Sequence, residues 1–125
     1  LAHAGLGLVA SGAYTRNALD VEGALEAMLG ATARPQAVVL VALQAQNVKF
    51  IRAYRADPRA DPDCHFLLMS VGATASFAGA IGPEHWPRLY FFQVVPMPTD
   101  PDSAVARRFV PQAHLHDPYG QGPDP

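Results

Sequence analysis

The run Ala37-Val-Val-Leu-Val-Ala-Leu43 constrains the fold of this chain more than any other stretch. It has no polar face, and it is too short for a helix of ordinary length, so it reads as a strand. A strand that is apolar on both sides belongs inside a parallel sheet with helices over it. The run is also far short of the roughly 20 apolar residues a membrane-spanning helix needs.

The flanking stretches fit that reading. Leu6 to Ala10 predicts a short strand, followed by the polar turn Tyr14-Thr15-Arg16-Asn17. Asp20 is placed to cap a helix in which Val21, Ala24, Leu25, Met28 and Leu29 recur at helical spacing. Pro35 ends that unit. Gln46 to Ala56 predicts a second helix with Phe50, Ile51 and Tyr54 as its inner stripe. Phe66 to Met69 predicts another strand, Thr74 to Ile81 a short helix stopped at Gly82-Pro83, and Leu89 to Val95 a strand broken by Pro96.

A last helical turn falls at Ser103 to Val110. The fold expected is α/β: an open, mostly parallel sheet, with strands at about 6–12, 36–43, 65–69 and 89–95 and helices on both faces. Residues 1–110 form the α/β unit, and the proline-rich segment 111–125 is expected to be a mobile tail. The first residues, Leu1 to Gly5, read as the end of a helix, as though the chain begins inside a larger protein.

Composition excludes several classes. Half the residues are apolar and 16% are charged, enough for a packed core. Nine basic against 11 acidic residues give a net charge of −2, so the electrostatic footprint of a nucleic-acid binder is missing. One cysteine, Cys64, excludes an intramolecular disulfide framework.

The chemistry-bearing motifs are incomplete. Gly5-x-Gly7 with Gly12 imitates a dinucleotide loop, but a strand follows it where the fingerprint needs a helix. Ser70 with Gly72 imitates half of a nucleophile elbow, yet Leu68 stands where the other glycine belongs. His114-x-His116 sits in the tail with Asp117 as its nearest acidic neighbour, a poor metal set. Asp57, Asp61 and Asp63 lie in a loop with two prolines and without the glycine or terminal glutamate of a calcium loop. Trp86 reads as cover for the sheet edge before the last strand. No catalytic residues, metal or cofactor are implied.

What remains is topology: in open parallel sheets ligands bind beyond the carboxyl ends of the strands. Here those ends are Tyr14-Thr15, Leu43-Gln44-Ala45, Ser70-Val71-Gly72 and Pro96-Met97, which suit binding better than reaction.

Four runs in order, Ala10-Ser-Gly-Ala-Tyr-Thr-Arg-Asn17, Arg34-Pro-Gln-Ala-Val-Val-Leu-Val41, Phe50-Ile-Arg-Ala-Tyr-Arg55 and Gln93-Val-Val-Pro96, resemble one family. It is the type I periplasmic binding proteins of ABC transporters, in the leucine/isoleucine/valine-receptor group, and the match is to a fragment of the second lobe. The resemblance implies a non-catalytic lobe that holds amino acids or related small solutes with a first lobe, outside the cytoplasm, and delivers them to a permease.

It places ligand contacts at Leu43 and Gln44 and at Ser70, Val71 and Gly72. Amino-acid receptors often carry an aromatic residue in the first of these loops and an acidic one in the second. Leu43 and Ser70 stand there, so a neutral contact replaces a charge-assisted one and small amides or aromatic acids join the ligand class.

The resemblance also implies that a central strand is missing between the first two strands of this chain. Two edges without partners favour direct pairing of those strands or self-association through the open edge. The other readings are a ligand-sensing domain of a receptor or regulator with the same fold, and a small α/β enzyme.

Overall fold

The computed structural model describes residues 4–16, 18–69, 75–93, 100, 102–104 and 107–108. Helix α1 (Glu22–Leu29) leads to strand β1 (Ala37–Leu40), helix α2 (Gln44–Ala56), strand β2 (His65–Met69), helix α3 (Ala75–Ile81), a 3-10 turn (Pro83–His85) and strand β3 (Leu89–Phe92). The sheet has the order β1-β2-β3, with both pairs parallel. Val38 lies opposite Phe66, and Leu68 opposite Phe91. The α/β class and the parallel sheet expected from the sequence are both present.

Consecutive parallel strands joined by right-handed crossovers put their helices on one side. The core records that placement. Val38 and Leu40 of β1, Phe66 and Leu68 of β2, Phe50, Ile51 and Tyr54 of α2, and Phe77 and Ile81 of α3 form one buried cluster, against which α1 lays Leu25, Met28 and Leu29. Phe66 meets Tyr54 edge to face with ring centroids 5.5 Å apart. The described helices therefore cover the Val38–Leu68 face. On the other face, Val39, Tyr90 and Phe92 stand 60%, 49% and 49% exposed.

Two arginines of α2 anchor the far side of the fold. Arg52 donates to the Ala80 and Ile81 carbonyls at the end of α3, and Arg55 reaches the His85 and Pro87 carbonyls while lying over the Phe66 ring. Cations over the last carbonyls of a helix satisfy acceptors that the helix itself leaves open. Gly82 turns the chain out of α3 with φ +87°, a conformation that favours glycine.

The structure corrects the sequence reading in three places. The predicted first strand, 6–12, has no strand structure and is not in the sheet. Leu6 to Ala13 make no hydrogen bond within the described residues, because a cleft separates them from the nearest backbone edge. The run 37–43, expected to be central, supplies an edge strand of the described sheet and ends at Leu40, where the chain turns into α2.

Asp20 does not cap α1. The helix begins one residue later, at Glu22, whose own carboxylate accepts the Val21 N–H at 2.9 Å. The tail 111–125 and most of 103–110 lie outside the described residues.

Candidate functional site

Parallel pairing brings the carboxyl ends of β1 and β2 to the same side of the sheet. Leu43 is the residue before α2, in extended conformation, with its side chain 54% exposed. Gln44 opens α2, and its Oε1 accepts the Ser76 hydroxyl of α3 at 3.0 Å. That bond ties the start of the helix after β1 to the start of the helix after β2. Ser70, Val71 and Gly72, the other predicted contacts, lie outside the described residues, as do Pro96 and Met97. Tyr14, a predicted strand-end residue, is brought to the same place: its hydroxyl stands 3.5 Å from the Val41 carbonyl.

Beneath these loops runs a cleft of about 340 Å³. Residues 7–12 form one wall and residues 37–42 the other, with Tyr14, Gln46, Asn47 and Phe50 closing it. Among the described residues, no charged side chain lines it. Leu43 and Gln44 are not in its lining; Gln44 borders a second, broader depression of about 730 Å³ with Leu19, Val48, Lys49 and Arg52. The cations there are engaged, since Lys49 pairs with Glu22 at 2.6 Å and Arg52 donates to the end of α3. Among the described residues, therefore, no cation that lines this depression is left without an acceptor.

Sequence reasoning missed two side chains of this region. Gln46 donates from Nε2 to the Ala18 carbonyl at 2.9 Å, and Asn47 from Nδ2 to the Ala42 carbonyl at 3.0 Å. Both are buried, and Gln46 Oε1 and Asn47 Oδ1 have no donor. The signal was available. Continuing the Phe50-Ile51-Tyr54 stripe back by three or four residues lands on Gln46 and Asn47, polar residues at inner-face positions.

The acidic-loop residues, Trp86 and Cys64 are in structural roles. Asp57 accepts from the Arg59 N–H and guanidinium, and Arg59 also holds Glu26 of α1 by two bonds of 2.8 and 3.0 Å. Asp63 pairs with Arg88 at 2.6 Å. The acidic loop is thus a clasp between α1, the end of α2 and the start of β3. Trp86 is 53% exposed and donates its indole N–H to the Ala78 carbonyl of α3. Cys64 is buried in the core, where desolvation pushes its thiol pKa up.

No family model matches the chain, and no curated protein does either. Among solved structures it is similar to a possible leucine/isoleucine/valine-binding protein from Rhodopirellula baltica SH 1, with a TM-score of 0.74 and 26% identity. The match covers 86% of this chain and 28% of that one. The fold therefore defines a class: the chain has the architecture of one lobe, in part, of a type I periplasmic binding protein. Within that class its likeness is to this possible leucine/isoleucine/valine-binding protein.

Proposed function

We propose that this chain forms one wall of a solute-binding cleft, non-catalytic, in an extracytoplasmic binding protein that serves an ABC permease. The observation that carries the reading is the shared edge. Parallel β1 and β2 end side by side, and Gln44 and Ser76 join the helices that follow them. The solved neighbour, a possible leucine/isoleucine/valine-binding protein, has the same fold, and this chain spans 28% of its length.

Leu43 and Gln44 supply the first contacts, and Ser70, Val71 and Gly72 the second. The ligand is an amino acid or a related small solute, including small amides and aromatic acids. Leu43 offers an apolar contact and Gln44 a neutral hydrogen-bonding one, and no carboxylate stands at either position to pair an ammonium group.

A lobe that works with a second wall loses the burial that makes binding tight when it acts alone. Affinity for the chain by itself is therefore about millimolar or weaker. Amide chemical shifts recorded while leucine, isoleucine, valine, a small amide and an aromatic acid are titrated in will test this. The expected result is weak, saturable shifts at Leu43, Gln44 and residues 70–72 for at least one solute. Shifts confined to another face, or none with any of the five, would overturn the reading.

A further inference from the structure

The bond between Gln44 and Ser76 joins two positions that packing fixes. Gln44 is the first residue of α2, and Asn47 ties that turn down through bonds from its N–H to the Leu43 carbonyl and from Nδ2 to the Ala42 carbonyl. Ser76 lies in the first turn of α3, beside Phe77, which is fully buried and meets Phe91 edge to face at 5.5 Å. Arg52 and the Trp86 indole hold the Ile81 and Ala78 carbonyls of the same helix. The Ser76 hydroxyl donates to Gln44 Oε1 at 3.0 Å across 32 residues of sequence.

This bond lies at the surface, where water serves either group, so it adds little to stability. Its consequence is orientation. A glutamine amide has an acceptor oxygen at one end and two donor hydrogens at the other, in nearly the same shape. A serine hydroxyl can donate to the first or accept from the second. Here it donates, which commits Oε1 to α3. Nε2 carries two hydrogens, so a contact on one still leaves the other for a solute. The surrounding charge has the matching sign. Lys49 and Arg52 are the charged side chains that line the same depression as Gln44. Glu22 offsets Lys49, but the carbonyl partners of Arg52 leave its charge whole. An acceptor oxygen meets a favourable field there and an ammonium group a repulsive one.

We propose that Ser76 is a positioning residue of the solute site. By holding Oε1 of Gln44 it makes Gln44 a donor toward the solute, so this edge takes a carboxylate or carbonyl oxygen rather than an ammonium group. The inference rests on the reading of Gln44 as a solute contact, and it says which end of the solute lies there. A carboxylate, which only accepts, is favoured over a primary amide, whose own NH2 competes with Ser76 for Oε1.

Two measurements on the full chain separate positioning from recognition. The side-chain amide signals of Gln44, recorded without solute, report the first. An ordered amide is expected in the parent and in Ser76→Thr, which keeps the hydroxyl, and the signals of a freely solvated glutamine in Ser76→Ala. Isovalerate and isovaleramide, which differ only in carboxylate against carboxamide, report the second through shifts of the Leu43 and Gln44 backbone amides. The parent and Ser76→Thr are expected to prefer isovalerate, and Ser76→Ala to lose about threefold or more of that preference. An ordered Gln44 amide in Ser76→Ala, no preference for isovalerate in the parent, or a preference that Ser76→Ala keeps would overturn the inference, while leucine or another solute still shifts Leu43 and Gln44. If no solute shifts those residues, the reading of the chain as a solute-binding wall fails and this inference with it.

Discussion

Asn47 Nδ2 donates to the Ala42 carbonyl at 3.0 Å, binding the first turn of α2 to the second residue after the end of β1. This bond holds the β1–α2 loop, and with it Leu43 and Gln44, in one conformation. Asn47→Ala removes the donor and leaves a buried carbonyl without one, which costs about 1–3 kcal/mol. Urea unfolding of the variant is expected to show that loss. An unchanged midpoint would mean that the loop is held by other means.

Gly12 and Gly7 make opposite predictions on one segment. A methyl at Gly12 meets the Ala24 backbone and must push residues 7–12 off α1, whereas at Gly7 nothing lies within 4 Å. Gly12→Ala is expected to cost about 1–3 kcal/mol as overpacking, and Gly7→Ala to stay within about 0.5 kcal/mol of the parent. Paired thermal melts compare them directly.

Acid destabilises the helix clasps. Lys49 beside Glu22 lowers that carboxyl from its usual 4.5 to about 2, and Arg59 lowers Glu26 and Asp57 below the ordinary carboxylate range. A depressed pKa means stabilisation that is present above the unfolded value and lost as pH falls through the folded one. Stability should decline between about pH 4.5 and pH 2, more gently in high salt because these groups are exposed. Arg59→Gln should flatten that limb, which a pH series of melts will show.

Alkali acts on the core instead. Burial, with Cys64 beside it, raises Tyr54 to about 12 from an ordinary 10. The folded state keeps the proton that the unfolded state releases, so stability is complete below about pH 10 and falls toward pH 12. Tyrosinate absorbance should show one tyrosine ionising together with loss of structure.

Cys64, 1% exposed, is expected to react with a thiol reagent only as fast as the chain unfolds. Reaction at the speed of a free thiol would mean that the core opens locally beside Tyr54.

The predicted strands at 36–43, 65–69 and 89–95 correspond to β1, β2 and β3, because runs such as Phe66-Leu-Leu-Met69 satisfy strand sterics and burial locally. Helix α2 was legible in Phe50, Ile51 and Tyr54, which all lie in the core. Leu6 to Ala10 has an equally strand-like composition and is not a strand. Leu43 and Gln44 were readable from topology, since ends of parallel strands gather on one edge. For Gln46 and Asn47 the helical period announces burial, but not the Ala18 and Ala42 carbonyls they reach, because those partners come from other segments of the chain.

The sequence by itself determined which residues are apolar, at what period, and hence that β-α-β units with parallel strands must form. Only the tertiary structure decided that residues 6–12 stand across a cleft from β1 and that the described helices gather on one face. A strand exists by virtue of the backbone opposite it. The distance between two edges is set by packing elsewhere, here by Gly12 against Ala24, and no local pattern records it.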